Sequence, residues 1–179
     1  MPTLRPATTT DLPALLRLID ASVRELSQGF YTDAEIESGL RFVFGPDTAL
    51  IEDGTYFVLD DEGTIAGAGG WSRRRTLYGG DQAKRGPDPL LDPRSEPARI
   101  RAFFVDPRYA RRGLGRLLLE HCAAEASREG FSALELMATL PGVPLYTALG
   151  FTTIEAAAPV QPDGVALRMV RMGRPLRSS

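Results

Sequence analysis

The segment from Phe103 to Arg116 concentrates more usable chemistry than any other stretch of the 179-residue chain. It reads Phe-Phe-Val-Asp-Pro-Arg-Tyr-Ala-Arg-Arg-Gly-Leu-Gly-Arg. An apolar run suited to a strand stops at Asp106-Pro107, a turn rich in Arg and Gly follows, and an amphipathic helix begins near Gly113. Such a junction leaves the first N–H groups of the helix free at the positive end of its dipole. Gly113 and Gly115 lack a Cβ, so a pyrophosphate can approach the main chain closely, while Arg111, Arg112 and Arg116 add positive charge. A bare Gly-x-Gly at a helix start serves tight packing equally well, so its context decides. A Walker loop is excluded, because the Gly-Lys-Ser/Thr ending is missing, and so is the dinucleotide fingerprint, whose third glycine would stand at Leu118.

The elements that must position this turn follow from periodicity. Thr3 to Arg5 suits a short strand. Thr8 to Asp11 offers an N-cap ahead of Leu12-Pro13, and Leu12, Leu15, Leu16, Ile19 and Val23 recur at helical intervals up to about Gln28-Gly29. Thr32 and Glu35 form a capping-box pattern for a second helix running to about Val43. From Gly54 the period falls to two. Tyr56 to Leu59 and Thr64 to Trp71 make a hairpin around Asp60-Asp61-Glu62-Gly63. Residues 73 to 97 carry four prolines and many charges without an apolar period, and a loop of that length in a compact domain is usually functional or disordered. Arg99 to Val105 reads as a buried strand. Gly113 to about Glu129 is a helix with Leu114, Leu117, Leu118 and Cys122 on one face, and Ser132 to Ala138 a strand. Pro141 to Leu149 is a short helix, and Phe151 to Ala157 and Gly164 to Met172 are two closing strands. The order implies a mixed sheet covered by helices, an α/β layered fold.

Composition narrows the function classes. A chain this long buries roughly 70% of its unfolded surface and needs no metal or disulfide scaffold. One domain over residues 1–179 is the default. With Cys122 the only cysteine and His121 the only histidine, neither an internal disulfide nor a structural zinc site is expected. No apolar run approaches the roughly 20 residues of a membrane helix, and the N-terminus lacks a secretion pattern, so a cytoplasmic protein is expected. Charge is polarised. Residues 1–62 hold 12 acids and 4 bases, whereas residues 71–101 hold 8 bases and 4 acids, within a net charge of −2. That is not the uniformly basic surface of a nucleic-acid binder.

With its glycine turn placed between a strand and a helix, the chain resembles the GNAT superfamily of acyl-CoA-dependent N-acyltransferases. The family's pyrophosphate motif, Gln/Arg-x-x-Gly-x-Gly/Ala, is met by Gly113 and Gly115, with Ala110 at the Gln/Arg position, a departure that leaves the main-chain donors intact. Downstream, Leu145-Tyr146-Thr147-Ala148-Leu149-Gly150-Phe151 is similar to the family's aromatic-Tyr-x-x-x-Gly-Phe pattern at the expected spacing, matching it from Tyr146 onward with Leu145 at the aromatic position. The likeness extends over nearly the whole chain, from Leu4-Arg5-Pro6-Ala7 onward.

The resemblance implies a mostly antiparallel mixed sheet with helices on both faces and splayed fourth and fifth strands, and acetyl-CoA as cosubstrate. It implies that Phe103, Phe104 and Val105 present an edge to the pantetheine arm beside a β-bulge, one N–H of Phe104 or Val105 polarising the acetyl carbonyl. Arg111, Arg112, Gly113, Leu114, Gly115 and Arg116 would hold the pyrophosphate. Thr139 stands where many members carry an Asn near CoA. Tyr146 is implied as the general acid for the departing thiolate, since a phenol of pKa about 10 is protonated at neutral pH and can serve a thiolate of pKa near 8.5. Glu96 is the first choice for a general base, followed by Asp92 and Tyr78. The joint between the first two helices, with Ser27, Phe30 and Tyr31, would border the acceptor, together with Trp71 and Tyr78. His121 and Cys122 read as packed residues. The basic set Arg73, Arg74, Arg75, Lys84, Arg85, Arg94, Arg99 and Arg101 would favour an anionic acceptor if it faced the cleft. Acidic early helices on the opposite wall would favour a polyamine or aminoglycoside. A small primary amine leads as acceptor, ahead of a protein N-terminus or lysine, and an acyl-CoA sensor without turnover is the alternative from another class. The last strand is a candidate edge for a homodimer.

Overall fold

A computed structural model describes residues 1–177. Seven strands form one sheet: β1 (Thr3–Pro6), β2 (Tyr56–Asp61), β3 (Thr64–Ser72), β4 (Ala98–Val105), β5 (Ala133–Thr139), β6 (Thr152–Ala157) and β7 (Met169–Pro175). Their spatial order is β1-β2-β3-β4-β5-β7-β6. All neighbours are antiparallel except β4 and β5. Five helices cover the faces: α1 (Leu12–Leu26), α2 (Asp33–Phe42), α3 (Thr48–Glu52), α4 (Leu114–Arg128) and α5 (Val143–Ala148). None is long and apolar enough to cross a membrane among the described residues.

The alternation of β2 explains the two-sided cover. Phe57 and Leu59 point into a core built with Leu118, Leu119 and Cys122 of α4, while Tyr56 and Val58 point into a second core with Leu15 and Leu18 of α1. A strand with helices on both faces buries successive residues, and Tyr56 to Leu59 are all buried. A third cluster joins Ile19 and Val23 of α1 to Ile36 of α2 and to Leu167 and Met169. The capping box forms as its residue types require: the Thr32 N–H donates to Glu35 Oε1 (3.0 Å) and the Glu35 N–H to Thr32 Oγ1 (3.1 Å).

The structure corrects several expectations. Leu16 and Leu117 are exposed, and Leu18 and Leu119 take their places in the core; each helix is rotated slightly from the stripe that its periodicity suggests. The helix α3 escapes periodicity because five residues are too few to show it, although Asp47 caps it by accepting from the Ala49 N–H at 3.0 Å. The last strand begins at Met169, not Gly164, because Gly164 (φ +85°) sits in a turn whose flanks pair only as an isolated Val160–Ala166 bridge. That strand, β7, lies between β5 and β6 and is no edge; the edges are β1 and β6.

Candidate active site

The sheet opens where β4 leaves β5. Their parallel pairing consists of Ala98 with Leu134 and Arg99 with Glu135, after which the strands separate. The divergence coincides with a β-bulge: against β3, Ala68 faces Phe104 and Gly70 faces Arg101, so Ala102 and Phe103 share the place opposite Gly69. Ala102 takes up the bulge with φ +53°, an uncommon conformation for a residue with a Cβ. Gly69 is required here, since a Cβ on it would lie 2.4 Å from the Phe103 ring. The half of β4 that carries Phe103, Phe104 and Val105 is thus left with an open edge towards β5.

Beyond β4 the chain turns into α4. Gly113 precedes the helix in a left-handed conformation, φ +79°, and Arg111 is also left-handed at φ +62°. The first hydrogen bond at this end joins the Leu117 N–H to the Gly113 carbonyl at 3.0 Å. The N–H groups of residues 111 to 116 have no partner among the described residues. Six unpaired donors at the positive end of a 15-residue helix suit a pyrophosphate. Arg111, Arg112 and Arg116 are exposed around them. Gly115 serves packing instead. A Cβ there would meet Leu145 Cδ2 at 2.8 Å, so its absence lets α5 close onto the first turn of α4.

That approach seats Tyr146. Its ring lies edge-on to Phe151 at 5.7 Å and tilted to Phe103 at 6.4 Å between centroids. It also lines a cleft of about 600 Å³, open mouth included, together with Thr139, Tyr78 and the residues of the β4–β5 gap. Of the five tyrosines, Tyr31, Tyr56 and Tyr109 donate to the Arg168 carbonyl, the Ala102 carbonyl and Asp61. The hydroxyls of Tyr78 and Tyr146 have no partner among the described residues, and these are the two tyrosines that line the cleft. Burial pushes the Tyr146 phenol well above its ordinary pKa, so it holds its proton throughout the neutral range.

Other expected residues lie elsewhere. Glu96 precedes β4 at the closed end of the splay, where it accepts from the Asp92 N–H (3.1 Å) and pairs with Arg75 (3.5 Å). From Ala98 to Phe103 alone the strand runs roughly 16 Å at about 3.3 Å per residue, so Glu96 is not brought to Tyr146. Asp92 is engaged by Arg94. Trp71 is buried on the α4 side, its indole N–H donating to Glu125 (2.8 Å) and its ring edge-on to Phe131; it lines no part of the cleft. The joint between α1 and α2 is a clamp. Tyr31 donates to the Arg168 carbonyl (2.6 Å) and accepts from the Leu140 N–H (3.1 Å), while the Phe30 carbonyl accepts from Arg168 (2.9 Å). Neither side chain reaches the cleft wall.

The basic loop does not form a free positive wall either. Arg73 pairs with Glu129, Arg74 with Asp53, Arg99 with Glu135, and both Lys84 and Arg101 with Asp47. Acids from elsewhere in the chain neutralise the local excess, and Arg101 alone of the set lines the cleft. What sequence reasoning missed is the opposite wall: Val43, Phe44 and Gly45 after α2, Leu77, Gly79 and Gly80 in the loop after β3, and Met137 and Met169. The loop glycines were the one available signal, since a Cβ on Gly80 would meet the Gly45 carbonyl oxygen at 2.6 Å, a close approach that only glycine permits.

A splayed parallel pair inside an otherwise antiparallel sheet, a bulge at the splay, a donor-rich glycine turn and a tyrosine in the gap define the acyl-CoA-dependent acyltransferase class of fold. The chain belongs to the GNAT acetyltransferase family, whose model matches residues 20–151. No curated protein matches it. It is similar to a GCN5-related N-acetyltransferase from Rhodopseudomonas palustris, at 17% identity and a TM-score of 0.70 over 98% of this chain and 96% of that one. PaiA N-acetyltransferase from Thermoplasma acidophilum, solved in complex with coenzyme A, aligns at 13% identity and a TM-score of 0.65 over 98% and 99%. A ribosomal-protein-alanine N-acetyltransferase from Brucella melitensis aligns at 19% identity and a TM-score of 0.62 over 97% and 99%.

Proposed function

We propose that the chain moves an acetyl group from acetyl-CoA to the amine of a small-molecule acceptor, by direct attack within a ternary complex. The observation that carries this reading is the unpartnered Tyr146 hydroxyl in the gap between β4 and β5, on a helix held against the glycine turn by Gly115. The site fits acetyl-CoA. The free N–H groups of residues 111 to 116 suit the pyrophosphate, with Arg111, Arg112 and Arg116 adding charge. The open edge at Phe103, Phe104 and Val105 suits the amide-bearing arm, and Thr139 borders the same gap. Bound there, acetyl-CoA supplies an activated acyl group with a thiolate leaving group.

The roles of this chain's residues follow from position. In this reading an N–H at the bulge, that of Phe104 or Val105, stabilises the developing oxyanion. Tyr146 donates its proton to the departing thiolate, and its raised pKa keeps that proton available. Cys122 is fully buried and its thiol is pushed well above the ordinary range by burial, which speaks for direct attack over an acetyl-cysteine route. Initial rates with acetyl-CoA and amine both varied test this: intersecting lines in double-reciprocal plots are expected, and parallel lines exclude the ternary complex.

A second reading draws on the absence of any carboxylate or histidine from the described cleft wall. It makes the chain an acyl-CoA sensor that binds without turnover. Calorimetric binding of acetyl-CoA with no amine-dependent thiol release across an amine panel supports the sensor; thiol release excludes it.

A further inference from the structure

The far wall of the cleft faces the open edge of β4 with Val43, Phe44, Leu77, Tyr78 and Met169. Among the described lining residues only Arg101 carries charge. Its guanidinium is buried at 3% exposure and faces Asp47 Oδ2 at 2.9 Å. It also donates to the carbonyl oxygens of Thr76 (3.1 Å) and Gly79 (2.6 Å). Asp47 is fully buried, and its other oxygen takes Lys84 Nζ at 2.6 Å. Arg101 therefore does two things: its guanidinium is tied down by a carboxylate beneath the cleft that it shares with Lys84, and its N–H groups hold the loop that carries Leu77 and Tyr78 over it.

Such a wall sorts acceptors by charge. A carboxylate or phosphate entering here meets a guanidinium that already donates to Asp47 and to two backbone carbonyls, and a second ammonium meets no carboxylate among the described lining residues. A buried charge without a partner is strongly disfavoured, whereas an apolar tail gains about 25 cal/mol for each Å² taken out of water. Tyr78 adds an orienting group, since its hydroxyl has no partner among the described residues and is free to accept an N–H from the acceptor nitrogen.

The geometry points to an apolar primary amine, alkyl or arylalkyl and charged nowhere except at its nitrogen, as the acceptor class; this rests on the acetyl-transfer reading above. Polyamines, aminoglycosides and amino acids with a free carboxylate are excluded by the same wall, and Leu77 is a specificity-determining residue.

The test measures acetyl-CoA-dependent thiol release by the full chain with 2-phenylethylamine, hexylamine, spermidine, glutamate and a short peptide with an apolar N-terminal residue. The apolar amines are expected to exceed spermidine and glutamate in kcat/KM by at least about tenfold. Leu77→Asp is expected to lower kcat/KM for 2-phenylethylamine by about tenfold and to narrow its lead over spermidine, with coenzyme A affinity unchanged. Spermidine, glutamate or the peptide matching the apolar amines overturns the inference, as does a Leu77→Asp variant with unaltered preference. If no amine releases thiol, 2-phenylethylamine is titrated calorimetrically into the protein saturated with coenzyme A. Heat there upholds the acceptor class while the transfer reading fails, and no heat overturns the acceptor class.

Discussion

The Tyr56 hydroxyl, reaching up from β2, donates to the carbonyl of Ala102 at 2.8 Å, and Ala102 is the left-handed residue of the β4 bulge. Tyr56 is fully buried and burial drives its phenol far above the ordinary pKa, so the donor stays protonated at every working pH. One buried hydroxyl therefore pins the left-handed residue of the bulge beside the gap.

Tyr56→Phe removes that donor from the half-buried Ala102 carbonyl, at a cost of about 0.5–1.5 kcal/mol. The catalytic consequence is separable from the loss of stability. A misplaced oxyanion donor lowers kcat by roughly ten- to a hundredfold with little change in the KM for acetyl-CoA. A lowered melting temperature with unchanged kcat would mean that Tyr56 only packs.

Tyr146→Phe keeps the ring between Phe103 and Phe151 and deletes only the proton donor. The variant's kcat is expected to fall by about a hundredfold or more, with the dissociation constant of acetyl-CoA nearly constant by calorimetry. Because burial raises the Tyr146 pKa, the wild-type rate shows no decline from ionisation of this phenol below about pH 10. Equal turnover by the variant removes Tyr146 from the mechanism.

Much of this is legible in the sequence, and the pattern of what escapes it has a physical cause. The glycine turn, the Tyr146 helix and the Thr32–Glu35 capping box are local: their residues lie within a few positions of one another, and backbone geometry follows directly. Arg101 and Asp47 are 54 residues apart, and nothing in either neighbourhood announces the pairing. The same holds for Tyr31, whose contacts with Arg168 and Leu140 convert an expected acceptor residue into a clamp. The expectation for Glu96 rests on its nearness to the fourth strand, but it stands at the paired end of that strand, not the open one.

The clamp makes a prediction about acid. Glu35 is buried against the cap of α2, and the Arg168 guanidinium, at 2.8 Å from both carboxylate oxygens, holds its pKa down at about 2. The unfolded chain's Glu titrates near 4.3, so the folded state binds its proton less readily. The resulting stabilisation is complete above about pH 5 and is lost as the pH falls from about 4.5 towards 2. Allowing for the solvent around the half-exposed Arg168, it amounts to about 2 kcal/mol. Glu35→Gln is expected to melt well below the wild type at pH 7, with the gap closing towards pH 2. A gap independent of pH across thermal scans would exclude the ion pair as its source.

The cleft wall also predicts where the acceptor loses its proton. An attacking amine must be neutral, yet no carboxylate or histidine lines the described wall; the groups facing it are Arg101, held by the Asp47 that it shares with Lys84, and the phenols of Tyr78 and Tyr146. An apolar setting disfavours the ammonium form, so the acceptor is bound as the free base and the protein supplies no titrating base of its own. The pH dependence of kcat/KM must then belong to the acceptor: it rises with pH towards the pKa of the amine in solution. Replacing hexylamine with a fluorinated alkylamine of lower pKa should move the rising limb down by the difference between the two pKa values. Were a protein carboxylate or histidine the base, both amines would share one limb at a fixed pH. Glu96→Gln, distant from Tyr146 along β4, should leave the limb where it is in either case, and a shift in that variant would return Glu96 to the site.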